Sequence, residues 1–271
     1  MNRREFIGGA LGTAGVAALA GCAGLPFGSR MRLGCQLWSV KDIWQKQGGV
    51  TGVFPQLAEM GYEGVQSMAF WQSDADKLER ALKENGLAIA DMPINFTHVD
   101  TDEALAKTVA FCRRFGVDFV YIPWWKPKDL AGWRAFAAKL DAVNAKLVPY
   151  GIRAGYHHHI HEINEKVDGE YPLDVLLRHP TFAFEMDVGP VLEAGRDPAK
   201  TLAGLPNRVP GIHAKPYPGT YAGAPDDRQD WSAILAACRA VGTKWIVVEC
   251  EQRKDTFDDV RRSADFLRPL L

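Results

Sequence analysis

The sequence has no excess of charge of either sign, because 32 Lys and Arg residues stand against 33 Asp and Glu residues. A chain with a net charge of −1 has no general attraction for nucleic acid or for an anionic membrane surface. We therefore expect no nucleic-acid partner and look for a local site instead. With 47% hydrophobic residues in a chain of 271, the composition excludes a disordered protein and allows a large core.

Cysteine is scarce, and the five cysteines include no CxxC pair, so a zinc ribbon is not indicated. After residue 30 they are Cys35, Cys112, Cys238 and Cys250. Three of these four lie in apolar runs, where a free thiol behaves as a small buried hydrophobic group. The sequence alone cannot pair them, so a disulfide stays open.

Residues 1–30 differ from the rest of the chain and predict an export signal. Arg3 and Arg4 precede an apolar stretch that is too short and too rich in Gly and Ala to be a convincing membrane-spanning helix. The paired arginines resemble a twin-arginine signal, and the stretch that ends in Cys22 resembles a bacterial lipobox. We expect an exported protein, periplasmic or anchored to a membrane through lipid on Cys22. The alternatives are a loose N-terminal helix, or a misassigned start with Met31 as the true first residue.

Residues 31–271 contain eight short apolar runs that are typical of buried strands. They are Arg32–Trp38, Tyr62–Met68, Leu87–Pro93, Val117–Pro123, Ile152–His158, Phe182–Asp187, Val209–Lys215 and Lys244–Glu249. Amphipathic stretches lie between them and predict helices. These are Asp76–Glu84, Asp102–Phe115, Leu130–Pro149, Trp231–Val241 and Thr256–Leu267.

Regular alternation of strands and helices predicts a parallel sheet, and eight such units predict a single-domain (β/α)8 TIM barrel. An open doubly wound sheet is the competing fold, and it requires a Gly-rich phosphate turn after the first strand. The residues at that position are Gln36-Leu37-Trp38-Ser39-Val40, which form no such turn. We therefore expect the closed barrel, without a second domain.

Ionisable side chains end the last four predicted strands. The fifth run leads into Tyr156-His157-His158-His159 and Glu162, and the next three runs end near Asp187, His213 and Glu249. Because functional groups of a barrel lie at the C-terminal ends of its strands, we expect these side chains to meet at one mouth. Imidazole and carboxylate ligands without thiolate predict a divalent cation such as Mn, Co, Zn or Fe. Each residue also has a simpler interpretation, for example Asp187 as a helix cap or Glu249 as the ion-pair partner of Lys215.

Together these segments resemble the xylose isomerase-like barrels, also called the sugar phosphate isomerase/epimerase or endonuclease IV-like family. The resemblance covers about residues 32–270. It depends on motifs that are weak singly but occur in the family's order. They are Gly61-Tyr62-Glu63-Gly64-Val65-Gln66, Tyr156-His157-His158-His159 with Glu162, Asp187 followed by Ala194-Gly195-Arg196-Asp197-Pro198, His213-Ala214-Lys215, and Val248-Glu249.

The resemblance implies a metal held by Glu, Asp, His and Glu from the last four strands. Asp187, His213 and Glu249 match the last three positions. The first position is open between His157, which stands where many members have Glu, and Glu162. Two further departures are Gln66, where Glu is common, and Pro216, where an Asp often follows the lysine.

The activity that the resemblance implies is isomerisation or epimerisation of a sugar by proton transfer next to a carbonyl. Glu249 is then one acid–base candidate, and His157 or Glu162 is the other. Lys215 would stabilise charge on oxygen. We expect Trp38, Gln66, Trp124 and His159 to contact substrate, although packing at the rim is an equal interpretation of the tryptophans.

Pro216-Tyr217-Pro218 stands where a Gly-rich phosphate cradle is expected, which favours an unphosphorylated sugar, keto-sugar or glycoside. Other functions stay open at this point. They are a lyase acting on 3-keto-glycosides, a sugar-binding lipoprotein without activity and, least favoured by the charge balance, an endonuclease. A homo-oligomer is also open.

Overall fold

Parallel strands alternate with helices along the described chain, residues 30–251 and 256–271 of a computed structural model. The strands are β1 (Arg32–Gln36), β2 (Gly64–Gln66), β3 (Ala88–Ile89), β4 (Met92–Pro93), β5 (Phe119–Ile122), β6 (Arg153–His157), β7 (Ala183–Asp187), β8 (Gly211–Ala214) and β9 (Trp245–Val248). They form one sheet in the order β3-β2-β1-β9-β8-β7-β6-β5-β4, and all neighbouring strands are parallel. Each of them lies within one of the eight runs predicted from the sequence.

The sheet closes through its third segment, which is divided into β3 and β4 by Ala90 and Asp91. The Ala90 N–H donates to the Val65 carbonyl at 3.0 Å, on the side of β2. The Ile94 N–H then donates to the Tyr121 carbonyl at 2.8 Å, on the side of β5. Because the two edges of the sheet are consecutive parts of one segment, the nine assigned strands make up the eight of a (β/α)8 barrel. The predicted single-domain TIM-barrel fold is confirmed.

The helices surround the strands, and several begin and end where the sequence pattern predicts. The α-helices are α1 (Lys41–Trp44), α2 (Phe54–Glu59), α3 (Ala75–Glu84), α4 (Asp102–Phe115), α5 (Leu130–Leu147), α6 (His161–Asn164), α7 (Pro172–Leu177), α8 (Val188–Glu193), α9 (Pro198–Ala203), α10 (Trp231–Val241) and α11 (Phe257–Leu267). Six 3-10 helices span Leu37–Val40, Val50–Val53, Met68–Gln72, Phe96–His98, Val148–Tyr150 and Arg268–Leu270.

The two ends of α4 carry capping residues, which explains why its bounds could be predicted from the sequence. The Thr101 hydroxyl accepts a hydrogen bond from the Ala104 N–H at 3.1 Å and so caps the N-terminus. Gly116 ends the helix in the left-handed conformation, with φ of 67°, which a residue with a Cβ adopts at a cost. Asp230 and Gly242 play the same two parts at α10.

Apolar side chains fill the barrel interior at the N-terminal end of the strands, which leaves the interior at the C-terminal end for polar side chains. Trp245, the first residue of β9, points across the interior, since a Cβ on Gly64 two strands away would lie 2.5 Å from its ring. Arg32 stacks on the same indole, with 4.2 Å between the guanidinium carbon and the ring centroid. Phe119 and Tyr121 are also buried, with their rings 5.9 Å apart.

The larger apolar core lies between the strands and the helices. Cys35, Cys112, Cys238 and Cys250 are all buried there as free thiols, as the apolar runs around three of them indicated. Among the described residues, the helices are all too short or too polar to cross a bilayer.

Candidate active site

Four strands of the second half of the barrel deliver ionisable side chains to one mouth. His157 and Asp187 are the last residues of β6 and β7, His213 lies one residue before the end of β8, and Glu249 follows β9. The register aligns Asp187 with His213, so their backbones are adjacent. All four residues are buried, with at most 7% of the surface of each exposed. Burial of four polar groups at the C-terminal end of a barrel marks this mouth as the candidate site.

Three of these residues form what we call the central group: His157, Asp187 and His213. Each offers one ligand atom, and the three atoms all lie within 4.8 Å of one another. The two imidazole rings are 4.3 Å apart between centroids. Two nitrogen ligands and one carboxylate oxygen at this spacing suit a divalent transition metal.

One carboxylate oxygen of Asp187 accepts a hydrogen bond, and the other accepts none. Its Oδ1 accepts a hydrogen bond from the Gly189 N–H at 3.1 Å and so caps α8. Its Oδ2 is buried and has no hydrogen-bond partner. Helix cap and metal ligand are thus compatible roles, because they use different oxygens. Burial raises the pKa of Asp187 to about 6, against the lowering effect of the Lys215 charge.

Glu249 and Lys215 form an ion pair beside the central group. The Lys215 Nζ donates to the Glu249 Oε2 at 3.0 Å and to the Glu251 Oε2 at 2.6 Å, and it lies 3.8 Å from the Asp187 Oδ2. The Glu249 Oε2 is 3.3 Å from the His213 Nδ1.

The charges around Glu249 keep it ionised. Burial acts to raise its pKa, but the charges of His213 and Lys215 outweigh that effect and hold the pKa of Glu249 well below its usual value. Burial acts to lower the pKa of Lys215, and Asp187 and the two glutamates reverse this, so the pKa of Lys215 is raised. Glu249 is therefore a carboxylate, and Lys215 an ammonium, at neutral pH.

A second layer of polar side chains lies beneath the central group. The Glu185 carboxylate is fully buried, and its Oε2 is 3.3 Å from the His157 Nδ1 and 3.2 Å from the His213 Nε2. Strand alternation predicts this position, because Glu185 faces the same side of β7 as Asp187. Burial would raise the pKa of Glu185, but His213 and His157 together lower it.

Gln66 connects this layer to His213. The His213 Nε2 lies 2.8 Å from the Gln66 Oε1, which is an acceptor, so Nε2 carries the hydrogen. The Gln66 amide also donates to Glu185 and to Asp91, and it accepts from Gln36. Burial acts to lower the pKa of His213, but Glu185 and Glu249 raise it well above its usual value, so a cation bound at Nδ1 would replace a proton there. Gln66 is completely buried, beneath the imidazoles and not beside an open cleft.

Asp91 is the residue of this layer that the sequence analysis missed. It is 1% exposed, and a Cβ on Gly211 would lie 3.1 Å from its Oδ2. Burial and the nearby charge of Glu185 raise the pKa of Asp91 well above its usual value. An aspartate inside the apolar run Leu87–Pro93 is the signal that could have found it, since an unpaired acid rarely stands in a buried strand.

Glu162 lies elsewhere, in what we call the loop group: His159, His161 and Glu162. These residues follow β6 and begin α6, and one ligand atom from each lies within 4.8 Å of the other two. Glu162 is fully buried, and burial raises its pKa to about 7 against the lowering effect of its hydrogen bonds. The structure thus brings His157, and not Glu162, into contact with Asp187 and His213.

The remaining predicted residues lie at the rim or behind the strands. Trp38 and Trp124 are 54% and 53% exposed at the ends of β1 and β5, so about half of each residue is open to solvent. His158 is fully buried, and its Nε2 accepts a hydrogen bond from the Asp187 N–H at 3.2 Å, so it supports β7. Cys22 and the rest of the predicted signal up to residue 29 lie outside the described residues.

The family of the chain follows from its sequence. Residues 54–270 match the family described as xylose isomerase-like TIM barrel, and the chain belongs to that family. No curated protein sequence matches the chain.

Solved structures from several organisms share the fold at low sequence identity. A sugar phosphate isomerase/epimerase from Parabacteroides distasonis is 20% identical over 88% of this chain and 98% of its own, with a TM-score of 0.73. A D-allulose 3-epimerase from Methylomonas sp., in complex with D-allulose, is 15% identical over 91% and 99%, with a TM-score of 0.66. A family 2 AP endonuclease from Brucella melitensis is 14% identical over 89% and 99%, with a TM-score of 0.63. Because these proteins differ in activity, the fold does not fix the reaction.

Proposed function

We propose that this xylose isomerase-like barrel is a divalent-metal-dependent isomerase or epimerase of an unphosphorylated carbohydrate. The observation that carries the proposal is the central group, a buried set of two imidazoles and one carboxylate beside the ion pair of Glu249 and Lys215. A ligand set next to a charged acid–base pair suits proton transfer beside a carbonyl.

The residues present fit a divalent cation. The Asp187 Oδ2 is buried without a hydrogen-bond partner, and a buried polar atom without a partner is costly. Three carboxylates, Asp187, Glu249 and Glu251, surround the ammonium of Lys215, which leaves the mouth with net negative charge. A bound cation would polarise a substrate carbonyl and a neighbouring hydroxyl and so acidify the C–H between them.

Glu249 is the base in this proposal. Its carboxylate stays ionised at neutral pH, and it lies at the mouth on the edge of the central group, 3.3 Å from the His213 ring. In an isomerisation it would take the proton from the carbon next to the carbonyl and return it to the neighbouring carbon. In an epimerisation a second acid on the opposite face, for which His157 and Glu162 are the candidates, would give a proton to the carbon that Glu249 deprotonates. Lys215 would hold Glu249 in place and donate a hydrogen bond to an oxygen that gains charge.

The charge around the mouth supports a substrate without phosphate. The contacts of the Lys215 ammonium beside the central group are taken up by carboxylates. A phosphate dianion would meet these carboxylates at short range and would be repelled. The exposed faces of Trp38 and Trp124 suit the C–H surfaces of a sugar ring.

Deuterium exchange tests the proposal without knowledge of the substrate. Tag-free protein loaded with Mn²⁺ or Co²⁺ is incubated in D₂O with a panel of free and phosphorylated ketoses and aldoses, and mass spectrometry records the label. We expect deuterium at the carbon next to the carbonyl for one or more free sugars. Glu249→Gln should slow this exchange by about 10²- to 10⁴-fold, the usual contribution of a general base.

Glu103→Gln is the matched control, because Glu103 lies on the exposed start of α4 and pairs with Lys107. It should exchange at the wild-type rate. No exchange by metal-loaded protein over the whole panel would contradict the proposal and favour a sugar-binding protein. Exchange only on 3-keto-glycosides, followed by loss of the glycosidic group, would assign a lyase instead.

Export and lipidation at Cys22 remain part of the proposal, as does a homo-oligomer. The support for export is the paired arginines and the lipobox-like run in residues 1–30. Radiolabelled palmitate should be incorporated by the wild type and not by Cys22→Ala in a bacterial host. Equal labelling of both would contradict the anchor.

A further inference from the structure

The loop group is a compact set of metal-ligating side chains distinct from the central group. His159, His161 and Glu162 lie within four residues of one another, and their ligand atoms are within 4.8 Å. The rings of His159 and His161 are 6.0 Å apart between centroids and nearly parallel, at 22°. The His159 ring also touches that of His157, with 4.7 Å between centroids, so the two groups are neighbours in one mouth.

Hydrogen bonding fixes which nitrogen of His161 is free. Its Nε2 lies 3.2 Å from the Trp125 carbonyl oxygen, which can only accept, so Nε2 carries a hydrogen. Nδ1 of the neutral ring is then a bare lone pair, and it lies 3.2 Å from the Glu162 Oε2. A nitrogen lone pair and a carboxylate oxygen at this distance need a positive centre between them, which is a proton or a metal ion.

Glu162 is held in place by two donors. The Tyr156 hydroxyl donates to its Oε1, and the His159 N–H donates to its Oε2 at 2.9 Å. The carboxylate is fully buried, and a buried carboxylate that is fixed by its neighbours is the form in which acids ligate metals in proteins.

His159 supplies the third ligand atom of the loop group and is its most exposed member. Its Nδ1 is buried without a hydrogen-bond partner, although the residue as a whole is partly exposed. The Trp124 ring packs over the group, 4.9 Å from the His159 ring and 4.4 Å from the His161 ring. An ion bound here would therefore lie close to an indole whose outer face is in solvent.

We propose that the loop group is a second metal site, which takes one divalent transition-metal ion such as Zn²⁺ or Co²⁺. Two imidazoles and one carboxylate are a known ligand set for these ions, with water completing a tetrahedron. The proposal does not depend on the isomerase or epimerase activity, since it concerns binding alone. It assigns His159 and Glu162 the role of metal ligands outside the central group.

Metal stoichiometry tests the second site. Tag-free full-length protein is saturated with Co²⁺ alone, passed through a desalting column and analysed for metal and for d–d absorption. We expect two ions for each wild-type chain and one for Glu162→Gln, which keeps the shape of the side chain. Asp187→Asn should also hold one, so the ion that each variant loses identifies its site.

Trp124 provides a second readout that does not count ions. Bound Co²⁺ should quench its fluorescence, and the quenching should be lost in Glu162→Gln and in Trp124→Phe but kept in Asp187→Asn. His179→Gln is the matched control, because His179 pairs with Asp141 outside both groups. It should keep both ions and the quenching.

The result that overturns the proposal is two ions in Glu162→Gln, or one ion in the wild type that Asp187→Asn removes. If Glu162→Gln does not give a wild-type circular dichroism spectrum, His159→Ala decides in its place, since that side chain is partly exposed. If the wild type binds two ions but catalyses no deuterium exchange over the sugar panel, the proposed function is contradicted and the second metal site still stands.

Discussion

The two halves of the barrel contribute different chemistry to the same mouth. The first half, β1 to β4, ends its first two strands with the amides Gln36 and Gln66. The second half, β6 to β9, carries the imidazoles of His157 and His213 and the carboxylate of Asp187. An amide both donates and accepts, and Gln66 uses this to bind His213 and Glu185 at once. The second half thus supplies the candidate ligands, and the first half contributes Gln66, which acts together with Glu185 of β7 to orient the His213 ring.

The largest effect is expected when a ligand of the second half is removed. Asp187→Asn keeps the cap of α8 but removes the charge, so the central ion should be lost and the exchange rate should fall by about 10³-fold or more. Metal analysis and deuterium exchange measure this. Asp226→Asn, in an exposed loop, is the control. An unchanged ion content in Asp187→Asn would remove the distinction between the halves.

Lys215→Met should separate chemistry from metal binding. The ammonium lies between Asp187, Glu249 and Glu251, so its removal leaves three carboxylates that still attract a cation. We expect the metal to be retained, with kcat lower by about 10²-fold because a donor to developing charge is missing. The measurement is kcat at saturating metal. A kcat equal to that of the wild type would exclude this role of Lys215.

Gln66→Leu tests the orienting role of the first half. Without the amide oxygen the His213 Nε2 loses the nearer of its two acceptors, Gln66 and Glu185, so we expect metal affinity at the central group to fall by about 10- to 100-fold. Isothermal titration with Co²⁺ measures this. Gln56→Leu, a glutamine in α2 on the outside of the barrel, should bind as the wild type does. Equal affinity in Gln66→Leu would show that the two halves act independently.

The smallest effect is expected at the rim of the first half. Trp38 is 54% exposed and has Lys41 stacked on its ring at 4.2 Å. An aromatic contact of about 0.5–1.5 kcal/mol predicts a two- to tenfold higher KM for Trp38→Ala, with kcat unchanged. Tyr150→Ala is the control, since this exposed ring follows α5, before β6 begins. A change in kcat with no change in KM would contradict a role in binding.

The sequence predicted the fold well because each element carries its own local signal. The bounds of α4 and α10 are those expected from the periodicity and the closing glycines, and each barrel strand falls within its apolar run. The break of the third strand at Ala90 and Asp91 was not predicted, because it depends on hydrogen bonds to two different neighbours.

The site was predicted less completely, for a physical reason. Alternation fixes the side of a residue while a strand lasts, and so it placed Glu185 and Asp187 correctly on one face. Beyond His157 the strand ends, and the chain turns into α6. Alternation no longer applies there, so the sequence did not predict that Glu162 contacts Tyr156 and His161 and not Asp187.

Anomalous scattering from a crystal grown with Co²⁺ tests the central claim most directly. Data at the cobalt edge should place one ion about 2.0–2.3 Å from ligand atoms of His157, Asp187 and His213. A crystal saturated with Co²⁺ that shows no anomalous peak at these three side chains would contradict the account.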